Sequence, residues 1–149
     1  YEIRLSLVGS EMCIRDRRPL RWGGMARRAD PEETRAALNE VRAWVEDPEA
    51  NPAPPRPAIA RAVRLSARTL EQEAPGHSVE VRVPPFVAVQ CIEGPRHTRG
   101  TPPNVCEMPP LTWLQLACGV RGFDDAPDVE ASGSRVGEVA RWLPIIRFR

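Results

Sequence analysis

Apolar and polar positions change period along the chain, and each change marks an element. From Asp30 to Val45 the apolar residues Ala37, Leu38, Val41, Trp44 and Val45 recur at intervals of three and four, the spacing of one helix face. Asp30 suits an N-cap, Pro31 suits the first helical position, and Glu33 stands where a capping box places its acid, so the helix starts here. Pro48, Pro52, Pro54, Pro55 and Pro57 end it and predict a stiff, extended connector. From Ala58 a second helix carries Ile59, Val63, Ala67 and Leu70 on one face and stops by Gly76. Arg61, Arg64 and Arg68 form a basic stripe beside that face, which reads as a solvated surface.

At Ser78 the period falls to two. Val79, Val81 and Val83 alternate with Glu80 and Arg82, predicting a half-buried strand that ends at Pro84 and Pro85. FVAVQCI (86–92) is more continuously apolar and reads as a second strand, more central in the sheet. PRHTRGTPPN (95–104) is too rich in turn formers for regular structure, and NVCEM (104–108) is a short third strand. A helix opening at Pro109 or Pro110 buries Trp113, Leu114, Leu116 and Ala117 and closes at Gly119. DVEASGSR (128–135) is a fourth strand broken at Gly133, followed by a short helix near Glu138 to Leu143 and an apolar tail of Ile145, Ile146 and Phe148. Two helices, three strands, a helix, a strand and a last helix predict an α+β fold, a sheet covered on one face.

A length of 149 residues is one domain's worth and argues against separate cofactor and substrate halves. Basic and acidic residues nearly cancel to +1, so no global field draws the chain to nucleic acid or to an anionic membrane. Every basic residue is arginine, a bias that GC-rich coding explains better than anion recognition does. SLVGSEMCIRDR (6–17) resembles a translated sequencing-adapter peptide, whereas Met25 opens a natural-looking start. Residues 1–24 are therefore expected to be an artefactual or disordered leader, and 25–149 one domain, with N-terminal helices over 30–76 and a sheet-forming core over 78–149. No transmembrane-length apolar run or secretory signal is present, and Cys13, Cys91, Cys106 and Cys118 make no dense framework; the expectation is a cytoplasmic protein.

The candidate chemistry is sparse. Cys91 with His97 would make a nucleophile and base, but Cys91 sits in an apolar strand where cysteine usually serves as a small hydrophobe. Cys91, His97, Cys106 and Cys118 lack the close-paired spacing of zinc ligands, and Asp124, Asp125 and Asp128 lack an EF-hand's closing glutamate. Neither a catalytic set, a metal site nor a cofactor is expected. Arg96, His97 and Arg99 either bind a carboxylate or phosphate, or belong to a structural crossover whose arginines pair with Glu93 and Glu107.

On VEVRVPPFVAVQCIEGPRHTRGTPPNV (79–105), then PPNVCEM, TWLQLACG (112–119), VEASGSR (129–135) and VARWLP (139–144), the stretch from Val79 to Pro144 resembles the actinobacterial sterol carrier family, small relatives of the sterol carrier protein type-two domain. Residues 29–76 fit it more loosely. The segment 119–129 is a few residues shorter than in that family, and Asp128 stands where a glycine is expected. The resemblance implies a curved mixed sheet of four to five strands with helices on one face, enclosing an apolar cavity for a fatty-acyl or sterol-like molecule, without catalysis or metal. Phe86, Trp113, Leu116, Trp142 and Leu143 are the large apolar groups able to line such a cavity, or simply to fill the core. Arg96, His97 and Arg99 would then meet a ligand headgroup. The alternative is a protein-docking accessory module related to the non-catalytic domain of mycothiol-dependent isomerases.

Overall fold

The computed structural model describes residues 28–95 and 103–148. The expected leader and the candidate headgroup residues Arg96, His97 and Arg99 lie outside them. Helix α1 (Pro31–Glu40) starts as its sequence dictates: the Asp30 carboxylate accepts from the Glu32 amide at 2.9 Å, and Glu32 and Glu33 favour the positive end of the helix dipole. Glu33 reaches across to Arg61 at 3.4 Å instead of closing a capping box. The helical pattern is interrupted at Val41 and resumes as α2 (Arg42–Glu46), so the predicted single helix is two, with Ala37, Leu38, Val41 and Val45 still sharing the buried side. Asn51 then donates its amide to the carbonyls of Ala43 and Asp47, finishing the helix end before the proline run.

Helix α3 (Arg56–Glu73) is amphipathic through small residues. Ala58, Ala62, Val63, Ser66, Ala67 and Leu70 are buried, and Ile59, expected on the face, sits half-buried at its edge. Small side chains let this helix lie close against its neighbours. The basic stripe is partly engaged: Arg61 spans Glu33 and Glu40 of α1, and Arg64 donates to the Phe86 carbonyl at 3.2 Å.

The sheet has the order β2-β1-β3-β4, with β1 Val79–Val83, β2 Val87–Cys91, β3 Val105–Glu107 and β4 Glu130–Ser132. β1 pairs antiparallel with β2 and parallel with β3, and β3 pairs antiparallel with β4, giving a four-stranded mixed open sheet among the described residues. Val79, Val81, Val83, Val89, Cys91 and Cys106 face the helices. Glu80, Arg82, Gln90 and Glu107 occupy the opposite face, as the period-two pattern requires. The second strand corrects the expectation of a central position. β2 is an edge strand, its Ala88 and Gln90 are exposed, and its apolar run reflects packing against α3 on one side only.

Two local devices hold the sheet's upper end. Gly76, at φ +151°, lies so close to β2 that a Cβ there would stand 2.1 Å from the Ile92 carbonyl oxygen. Ile92 is held at φ +67°, donating to the Ala74 carbonyl at 2.7 Å and accepting from both the amide and the hydroxyl of Ser78. Asn104 bridges three segments, donating to the Ser78 carbonyl at 2.9 Å and accepting from the Arg135 amide at 3.0 Å. Helix α4 (Pro110–Cys118) was expected to bury one face, yet every residue from Thr112 to Cys118 is buried. It lies against α3 and α2, with the C-terminal tail across its end, so its nearly continuous apolar sequence is matched by neighbours all round. Its Trp113 is fully buried and donates Nε1–H to Ser66 Oγ at 2.8 Å, while Ser66 donates to the Ala62 carbonyl at 2.7 Å.

Candidate functional site

Among the described residues, the sequence after α4 builds one concavity of the size of a small ligand. Gly119 ends the helix at φ +74°, where its missing Cβ leaves room for the Pro144 ring; a methyl group there would sit 3.3 Å from it. The tail returns across this end, with the amides of Ile145 and Ile146 donating to the Ala117 carbonyl at 2.8 and 3.1 Å. Phe148 completes the strap under the Arg42 guanidinium, 4.9 Å from the ring centroid. Between helix end, tail and the 119–124 loop lies a pocket of about 310 Å³. Phe123, Ala140, Leu143 and Pro144, over the buried Leu116, supply its apolar side, and polar surface, with Arg121, Asp124 and Arg147 in the lining, makes up the larger share.

Asp128 positions that loop. One carboxylate oxygen accepts from the Thr112 hydroxyl near the start of α4, and the other pairs with Arg121 at 3.1 Å, so a single side chain ties the loop to the start of the helix. These donors hold the Asp128 carboxyl below the ordinary carboxylate range, the Thr112 bond contributing most. The position where a glycine was expected thus carries the loop's anchor. A second depression of similar size is lined by Met108 and the prolines 84, 109 and 110, with the carboxylates of Glu107, Asp128 and Glu130 at its polar side.

The five apolar residues singled out in the sequence separate in space. Leu116 and Leu143 meet at the pocket. Trp113 is enclosed in the core beside Ser66. Phe86 lies at the β1–β2 turn, packed against the core edge, with the Arg56 guanidinium 5.7 Å from its ring centroid. Trp142 is 41% exposed, next in sequence to Leu143. Phe123 and Arg147 were not singled out; the available signal was a lone aromatic in the polar GFDD turn and an arginine interrupting the apolar tail.

The nucleophile and metal readings meet different facts. Burial pushes the Cys91 thiol up to about 11 and those of Cys106 and Cys118 up to about 12, opposite to what thiolate chemistry requires. All three are free thiols in the core, and among the described residues no three His, Cys, Asp or Glu side chains converge to hold a metal. Nor, among those residues, is any helix long and apolar enough to cross a membrane.

Among curated proteins, none matches this sequence significantly. A family model described as bacterial SCP ortholog matches residues 55–145, which take in α3, the described sheet, α4 and the pocket lining except Arg147. With more than half its length matched, the chain belongs to this bacterial family of sterol-carrier-protein-like proteins.

Proposed function

We propose that the protein binds a hydrophobic, lipid-like small molecule without transforming it, in the pocket between the end of α4 and the C-terminal tail. The family suggests lipid or hydrophobic-ligand binding in general and is generally one of non-catalytic carriers. The observation that carries the assignment to this place is the convergence of the half-buried Phe123, Leu143 and Pro144 on one open concavity among the described residues. Each methylene removed from water contributes about 0.8 kcal/mol, so such a floor holds a ligand with few polar contacts. Arg96, His97 and Arg99 remain part of the proposal as a second source of headgroup contacts.

Native mass spectrometry of the purified protein, followed by thermal shift with fatty acids, acyl thioesters and sterols, tests this. A co-purifying ligand or a rise in melting temperature supports the reading, because selective binding to the folded state stabilises it. A ligand-free protein whose melting ignores all of them sinks it. One observation favours the docking module as a second reading: Trp142 projects as an exposed indole, a residue type favoured at protein interfaces.

A further inference from the structure

The arginines of α3 form a surface of their own, away from the pocket. Arg56, Arg64 and Arg68 stand on one row of the helix at intervals of eight and four, with the buried Ala60 completing the series, and all three are exposed. At 1.5 Å of rise per residue the row is about 18 Å long.

Its charge is not paired within the fold. Arg61, one position round the helix, is spent on Glu33 and Glu40 of α1, whereas among the described residues no carboxylate stands within ion-pair distance of Arg56, Arg64 or Arg68. Residues 50–70 hold four arginines and no acid, and residues 83–92, which bring β2 against this helix, carry no charge at all. Glu71 and Glu73 close the positive run in the last turn of α3.

Phe86 joins the row to apolar surface. The Arg56 guanidinium lies 5.7 Å from its ring centroid, and Arg64 Nε donates to its carbonyl at 3.2 Å. Two cations are thus drawn to one half-buried aromatic, beside the exposed Pro84 and Pro85 of the β1–β2 turn.

From this arrangement we infer that the face made by α3 and the β1–β2 turn docks on an anionic phospholipid surface. The arginines pair with headgroup phosphates, and Phe86 and the two prolines seat at headgroup level. A row about 18 Å long is too extended for one free phosphate and matches an array of them. Apolar groups set among the cations suit a bilayer interface better than the charged backbone of a nucleic acid. A net charge of +1 supplies no global field, so the attraction is local to this face. Docking here is independent of where a hydrophobic ligand sits.

Flotation of the full chain with vesicles of phosphatidylcholine, and of phosphatidylcholine mixed with phosphatidylglycerol, tests this. Binding is expected to the mixed vesicles alone and should weaken as salt rises. Arg64→Gln and Arg68→Gln should each weaken it about fivefold. Arg141→Gln, an equal loss of charge in the helical segment that follows β4 at the opposite edge of the sheet, should change it less than about twofold. Equal binding to both vesicle types, binding to neither, or an Arg141→Gln variant as impaired as Arg68→Gln overturns the docking face and leaves the pocket reading standing. Tighter binding to a DNA duplex than to the mixed vesicles at the same salt reassigns the face to nucleic acid. Release from the vesicles by inorganic phosphate at the concentration of the lipid phosphate reduces it to a single-anion site, which also overturns the inference.

Discussion

Ser66 is the side chain whose loss should reveal how the core is assembled. It is a fully buried polar residue on α3, and its hydroxyl accepts from Trp113 Nε1 of α4 at 2.8 Å while donating to the Ala62 carbonyl. Ser66→Ala removes the acceptor and leaves the indole N–H buried and unpaired, a cost of about 1–3 kcal/mol. Alanine's better helix propensity returns about 0.5 kcal/mol. The expected net loss is about 0.5–2.5 kcal/mol, or about 1–10 °C in melting temperature for a chain of this size. Urea titration of the parent, Ser66→Ala, Trp113→Phe and the double variant gives the coupling directly. Trp113→Phe alone removes the donor and leaves Ser66 still bonded to Ala62, so adding Ser66→Ala to it should cost about 1 kcal/mol less than in the parent. A Ser66→Ala variant within about 0.5 kcal/mol of the parent, or a cycle additive to the same margin, would refute the claim that this bond joins the two helices.

Two further outcomes follow from the site and its surroundings. The Asp128 carboxyl has its folded value depressed, so its stabilising contribution is fully present above the ordinary carboxylate value of 3.8 and is lost as pH falls through the folded value. Asp128→Asn should therefore lower melting at pH 7, with the difference from the parent shrinking below about pH 4; a difference that persists unchanged to about pH 2 contradicts the assigned contacts. Cys91, Cys106 and Cys118 are buried thiols with raised values, so a thiol-specific reagent at about pH 8 should label them only after unfolding. Rapid native labelling at any of the three, located by peptide mass spectrometry, would show a core far more open than the structure has it.

Local chemistry made much of the architecture legible. Asp30 and Pro31 announced the start of α1 because a cap needs only its own next residues. Val79, Val81 and Val83 announced β1 because alternation is a property of the strand itself, and Gly119 marked the end of α4 by its own backbone freedom. The resemblance on residues 79–144 pointed to the family that the chain belongs to. The errors arose where local sequence does not say what lies alongside. The apolar run at Val87–Cys91 suggested burial on both faces, yet β2 is an edge strand covered on one. Ser66 looked like an ordinary helix residue until α4 placed Trp113 against it. Asn104 read as a turn former, and only the approach of Ser78 and Arg135 gives its amide two backbone partners.

The candidate site divides in the same way. Leu116 and Leu143 could be named from sequence as large apolar residues, but so could Phe86, Trp113 and Trp142, and periodicity does not distinguish a side chain that lines a space from one that fills it. That distinction depends on closure: the tail crossing α4 at Ala117, Gly119 admitting Pro144, and Asp128 reaching Thr112 and Arg121. The sequence by itself determined the helices, the alternating strand, the α+β class and the near-neutral charge, because each is set by neighbours a few residues away. The pocket, its two arginines and the exposed indole of Trp142 were decided by the tertiary structure, because they depend on which segments, distant along the chain, come to lie side by side.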